Sequence, residues 1–307
     1  MGLRNEIRLL RRGRDWRGRA TVPRSAQPWA PRRQRKQFPT SWARSTPARL
    51  ARSAVQAGAL KPVVWTETRP RVYGADLLDE VRGPVVLVSN HTSHLDAPLI
   101  FGSLPKRMAR RTAVGAAADY FFDARWRALA TALVFNAFPV ERQGSRTSTE
   151  RQAPLSLAHR LLRRGWNLVL FPEGTRSTDG WVQRFRFGAA QLCTTAGVPA
   201  VPMAIRGTYA AMPKGHNWPR SGRPAVAVRY GRPVYPREGE SVRDFSARLE
   251  DEVGRLWVEQ DEGWWESLHA ADRRERPKGP QLTGWRRVWE STRPLAHGDR
   301  HRRVWRR

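Results

Sequence analysis

The sequence predicts an α/β fold, a single domain with a central, largely parallel sheet flanked by helices. Two observations carry that expectation. Apolar runs of strand length alternate with helical patterns from about residue 84 onward, the order that builds a parallel sheet. A chain of 307 residues with 40% hydrophobic content is also long enough to bury one sizeable core.

The strand-like runs are PVVLVS (84–89), RTAVGA (111–116), AFPV (137–140), NLVLF (167–171), PAVPMAI (199–205) and AVAVRYG (225–231). A helix is expected after Asp96, with Pro98 in its first turn. A second runs through YFFDARWRALATALV. A third, near 148–163, ends in RRG, with Gly165 placed as its C-terminal cap. A fourth, FGAAQLCTTAG, ends at Gly197. The last, near 241–260, starts at Ser241 with Asp244 three residues on, and buries Phe245, Leu249, Val253 and Leu256.

Charge divides the chain into three parts. The net charge is +29, yet residues 1–50 hold 14 basic and 2 acidic side chains, and residues 271–307 hold 12 and 4. We therefore expect a basic, disordered tail over 1–45, the folded domain over 46–270, and a basic Trp/Arg-rich extension over 271–307. Basic tails suit an anionic partner, nucleic acid or acidic lipid. Only five of the 56 basic residues are lysines, so the arginine bias of a GC-rich genome is a competing account. No nucleic-acid-binding motif is visible, and none of that class of partner is expected.

Cys193 is the single cysteine, so no intrachain disulfide can form, and its apolar helical setting reads as core rather than nucleophile. The first twenty residues lack the apolar stretch of a secretory signal. The longest apolar run, Ala128 to Val140, is shorter than the ~20 residues that span a bilayer.

The chemistry concentrates at NHTSHLD, Asn90 to Asp96, directly after a buried strand. Three readings compete. As metal ligands, His91, His94 and Asp96 want further partners, but the other histidines are scattered without paired spacing, so no metal is expected. As structure, Asp96 caps a helix before Pro98. As catalysis, His91 is a general base and Asp96 the carboxylate that fixes its tautomer. Further on, NLVLFPEGTRS repeats the layout of strand, tight turn and charged residues, and FPVER brings Arg142 to another strand end. Arginine suits phosphate because its planar fork donates two hydrogen bonds at once.

Together NHTSHLD, FPVER, FPEGTRS and VPAVPMAI, across roughly residues 80–235, resemble the ordered blocks of the glycerolipid acyltransferases, the family with an H-x4-D motif that includes 1-acyl-sn-glycerol-3-phosphate acyltransferase. The resemblance implies transfer of a fatty acyl group from acyl-CoA or acyl carrier protein to a lysophospholipid hydroxyl, with no other cofactor. It makes His91 the base and Asp96 its partner. It places Arg142, Glu173, Gly174, Thr175 and Arg176 around the acceptor phosphate, with Asn90, Ser93 and Pro202 in support. Glu173 has a structural alternative, pinning backbone amides in its turn. His94 occupies a variable place in the motif, read as loop or pocket wall. The chain departs from the pattern at Asn136, where glycine is usual, at Glu141, and at Arg186, where lysine is usual. The enzyme is expected to sit peripherally on the cytoplasmic face of the cell membrane, against anionic lipid. The alternatives are another lipid acceptor on the same fold, or a non-catalytic basic protein that binds nucleic acid or anionic lipid.

Overall fold

The computed structural model describes residues 40–117, 125–140, 157–213, 216, 218–262 and 268. Residues 1–39, the C-terminal extension, Arg142 and most of the expected 148–163 helix lie outside them.

Among the described residues, seven strands form one sheet in the order β1-β7-β6-β2-β5-β3-β4. They are β1 (Arg69–Tyr73), β2 (Val86–Ser89), β3 (Thr112–Ala117), β4 (Phe138–Val140), β5 (Asn167–Leu170), β6 (Ala200–Arg206) and β7 (Ala225–Tyr230). Every pairing is parallel except β6 with β7, so β7 and β1 run against the rest. The expected α/β class and all six strand-like runs stand. β1 went unread because RPRVY is polar, carries proline and is mostly exposed, as an edge strand permits.

Helices α1 (Thr46–Val55) and α2 (Lys61–Glu67) are joined by a π turn over Gln56–Leu60. Then follow α3 (Asp96–Ser103), α4 (Lys106–Ala109), α5 (Arg125–Phe135), a helix over 157–163 (α6), α7 (Gly188–Ala196), α8 (Thr208–Ala211) and α9 (Val242–Glu262). The two-residue period of the strands sorts the core into two layers. Leu87, Val169, Val201, Met203 and Ile205 face α3 and α4, meeting Leu99, Ile100 and Met108. Val86, Val88, Leu168 and Ala200 face the other way, meeting Leu161 and Leu162 of α6, Leu192 and Cys193 of α7, and Phe245, Leu249 and Val253 of α9.

Helix ends follow the expected chemistry. The Asp244 amide donates to the Ser241 hydroxyl at 3.1 Å, and that hydroxyl donates to the Asp244 carboxylate at 2.6 Å. Gly165 and Gly197 take the left-handed backbone that ends α6 and α7.

The described chain begins at Thr40, inside the stretch assigned to the N-terminal tail, and Thr40 and Ala43 are already buried. α1 and α2 lie within the expected domain, in a stretch where no helical pattern was read, and α1 carries two arginines. One of them is built into the core. Arg52 is 1% exposed and donates to the carbonyls of Leu133 at 2.7 Å and Ala132 at 3.3 Å, while Gln56 reaches Val134 at 2.7 Å. These are the orphan carbonyls at the C-terminus of α5, where a cation is favoured. Burial, with Arg44 and Arg49 nearby, lowers the Arg52 pKa to about 10.

Candidate active site

β2 is the middle of the sheet and the point where chain direction splits. After β2 the chain builds β3, β4 and β5 on one side, then crosses to β6 and β7 on the other. Ligands of open α/β sheets bind beyond the carboxyl ends of strands at such a switch point. NHTSHLD leaves β2 there, FPEGTRS leaves β5 beside it, and β4 ends at Val140, two residues before Arg142.

Asn90 is fully buried and clasps β6. Its Nδ2 donates to the Ile205 carbonyl at 2.9 Å and its Oδ1 accepts the Ile205 amide at 2.8 Å. That clasp closes the sheet just before the turn. Ser93 is buried too and donates to the Met212 carbonyl at 2.7 Å, while Thr92 meets Thr208 at 2.8 Å. Both braces tie the turn to α8.

The central pair is short. Nδ1 of His91 lies 2.8 Å from Oδ2 of Asp96, whose side chain is 0% exposed against 18% for the histidine. Oδ2 also accepts the amides of Thr92 at 2.8 Å and Ser93 at 2.9 Å. Asp96 is the first residue of α3, and its carboxylate turns back onto the preceding turn, not forward as an N-cap would. Anchored by three donors, it can hold the imidazole in one tautomer with Nδ1–H donating, which leaves Nε2 to meet a substrate. The His91 ring stacks on Phe171 with centroids 4.1 Å apart and planes 20° apart.

His94 is half-buried. Burial, then the charges of Arg176 and His91, lower its pKa to about 4 against the pull of Asp96, so it stays neutral across the ordinary range. Arg176 therefore reaches the same neighbourhood from the β5 side. Thr175 is exposed and Arg176 half-buried. Gly174 has φ +73, and a Cβ there would lie 2.8 Å from the Arg186 guanidinium carbon, so glycine lets Arg186 lie across the turn. Arg186 is exposed and brings a second cation to this edge; the lysine-to-arginine departure was the sequence signal for it.

Of the expected acceptor residues, Glu173 is set back from that edge. Glu173 is 4% exposed and takes the structural alternative, accepting the Gln183 amide at 3.2 Å. Burial raises its pKa well above the carboxylate range, opposed by the amides of Gln183 and His91. Pro202 lies inside β6, opposite Val88, its ring packed towards Gly231 and Leu256. Arg142 lies outside the described residues. Cys193 is core as read, its thiol pKa raised by burial to about 12.

The glycine-to-asparagine departure has a backbone reason. Asn136 has φ +49, the left-handed region that glycine enters freely and asparagine tolerates best among other residues. Its side chain is buried, bonded to the Thr112 carbonyl at 3.3 Å and to Arg44 at 3.2 Å. Asparagine thus keeps the turn before β4 and adds a tie to the N-terminal segment. Among the described residues no three His, Cys, Asp or Glu side chains gather as metal ligands, and no helix is long and apolar enough to cross a membrane.

Residues 69–206, which include His91, Asp96, Glu173 and Arg176, match the family model described as Acyltransferase. The chloroplastic 1-acyl-sn-glycerol-3-phosphate acyltransferase of Brassica napus is 28% identical over 150 residues, 47% of this chain and 39% of that protein. The alpha form of the same-named enzyme from Bos taurus is 32% identical over 185 residues, 57% of this chain and 59% of that one. The chain therefore spans well under two thirds of these relatives' length. The crystal structure of the 1-acyl-sn-glycerophosphate (LPA) acyltransferase PlsC from Thermotoga maritima is similar with a TM-score of 0.52 at 25% identity, covering 69% of this chain and 82% of that chain. Residues 69–206 are thus similar in sequence to the Acyltransferase family model, and the chain is similar in fold to a solved LPA acyltransferase.

Proposed function

We propose that this protein is an O-acyltransferase that moves a fatty acyl group from a thioester donor, acyl-CoA or acyl-ACP, to the hydroxyl of a 1-acyl-glycerol-3-phosphate in phospholipid synthesis. The observation that carries the reading is the 2.8 Å His91–Asp96 pair, its carboxylate buried and its imidazole half-open at the edge of the sheet. Nε2 of His91 takes the proton of the acceptor hydroxyl, and the hydroxyl oxygen attacks the thioester carbonyl. Asp96 steadies the imidazolium. The tetrahedral intermediate collapses, the C–S bond breaks, and the imidazolium returns its proton to the departing thiolate. Arg176, with Arg142 from the end of β4, holds the acceptor phosphate. The residues need no metal for these steps. The names of the similar enzymes and the arginine that follows β5, Arg176, support the phosphate-bearing acceptor.

The assay is direct. Purified protein supplied with a panel of acyl-CoA donors and 1-acyl-glycerol-3-phosphate is expected to yield the diacyl product by mass spectrometry, with monoacylglycerol acylated at a far lower rate. Equal rates on the two acceptors count against the phosphate assignment.

The membrane reading rests on the basic tails and on tryptophan's preference for the headgroup level. We expect salt-sensitive cosedimentation with anionic vesicles and little with neutral ones, because screening weakens such contacts. A chain lacking 1–39 and 271–307 should bind less; a cut further in would remove Ala43 and Arg44, which hold the fold. Undiminished binding by the shortened chain moves the anchor to α5, where Trp126 and Leu129 are 67% and 52% exposed one turn apart.

A further inference from the structure

We infer that the segment 171–177 is a mould for His91, in which Phe171 and Glu173 act as positioning residues and not as acceptor contacts. The inference rests on His91 being the base, and it reassigns a glutamate that the motif pattern puts beside the phosphate.

Three separate grips converge on one residue. The Phe171 ring covers the face of the imidazole at 4.1 Å. Glu173 accepts the backbone amide of His91 as well as that of Gln183. The amide of Ser177, itself 1% exposed, donates to the carbonyl of His91 at 2.8 Å. Both backbone polar groups of His91 and one face of its ring are thus held by the loop after β5. Asp96 holds Nδ1 from the other side. The stack fixes the plane of the ring, and the Asp96 bond selects between the two ring flips that plane allows, so the imidazole has one favourable pose.

The alternative for Glu173 fails on two physical counts. A side chain 4% exposed, with its carboxyl aimed at amides, does not reach a phosphate arriving from solvent. An ionised carboxylate there would also repel that phosphate. Burial favours its neutral form, and a neutral acid still accepts both amides through Oε1. Its second oxygen has no hydrogen-bond partner among the described residues, which an inward structural pin allows. The Phe171 face gives a further benefit, because an aromatic ring steadies the imidazolium that forms as the hydroxyl is deprotonated.

The experiment is steady-state kinetics with varied acceptor and varied pH on Glu173→Ala, Glu173→Gln, Phe171→Leu and Phe171→Tyr. Small displacements of a reacting group cost up to ~10²-fold, so Glu173→Ala and Phe171→Leu should lower kcat by ~10–100-fold. The acceptor KM should stay within ~3-fold, the pattern of a lost transition-state alignment. The kcat pH profile should move in both variants, because the imidazolium loses its support. Glu173→Gln keeps an oxygen for both amides, and Phe171→Tyr keeps the ring, so each should recover most of the loss.

A second readout follows from linkage. The folded Glu173 pKa lies above the ordinary 4.5, so the native state binds its proton more tightly than the unfolded chain does. Its stabilising contribution is full below about 4.5 and is lost as pH rises through the folded value. Glu173→Gln removes that loss, and its Tm should fall less than the wild type's as pH is raised. Should Glu173→Ala fail to fold, the other three variants give the same comparison. A raised acceptor KM with kcat intact, or Glu173→Gln as damaged as Glu173→Ala, overturns the mould. Neither outcome bears on the base itself, which is decided by His91→Ala.

Discussion

His91→Ala is expected to lower turnover by ~10²–10⁴-fold, the usual contribution of a positioned general base. The fold should survive, since the His91 ring is part-exposed and its backbone bonds to Glu173 and Ser177 do not depend on the side chain. Asp96→Asn should also impair turnover. An amide can accept the Thr92 and Ser93 bonds through its oxygen, yet it cannot stabilise an imidazolium by charge. His94→Ala should cost much less, because a ring with a pKa of about 4 is too weak a base to take a hydroxyl proton near neutrality. Single-turnover rates of the three variants, with circular dichroism to verify folding, make the comparison. Near-full activity in His91→Ala would end the mechanism.

The second large effect is on acceptor binding. Arg176→Ala should raise the KM for 1-acyl-glycerol-3-phosphate by ~10–150-fold, the equivalent of the 1.5–3 kcal/mol carried by a hydrogen bond to a charged group. The KM for acyl-CoA should change far less, since the donor reacts through its thioester. Arg142→Ala should act in the same direction. In either place lysine should rescue poorly, because an ammonium cannot reproduce the forked, two-bond contact with phosphate. Initial rates over a matrix of both substrates separate the two constants. A uniform loss in kcat with the acceptor KM unchanged would place Arg176 in the support of the histidines and not on the headgroup.

The resemblance in the sequence named the candidate residues but did not assign every role among them. Phe171 was read only as the last residue of a strand. Its stack on His91 joins the ends of β2 and β5, 80 positions apart, and no local pattern records that meeting. Glu173 was open between two roles until its burial was known. Asn136 and Arg186 stood out as departures, yet one needed a dihedral angle and the other a packing distance to be understood.

The amino-acid sequence alone determined the α/β class, the strands β2 to β7 and the helix ends at Gly165, Gly197 and Ser241. Buried parallel strands are apolar runs bounded by turns, and caps are side-chain chemistry at fixed offsets, so both are written locally. It also singled out His91 and Asp96 as a candidate pair, and their five-residue spacing lets the two side chains meet at 2.8 Å. Tertiary structure decided the rest. The antiparallel β7, the edge strand β1, the capping of α5 by Arg52 and the Asn90 clasp on Ile205 each join residues far apart in the chain. Their stability comes from burial and from pairing of polar groups across that distance. Only the packed sheet brings together the residues that need one another.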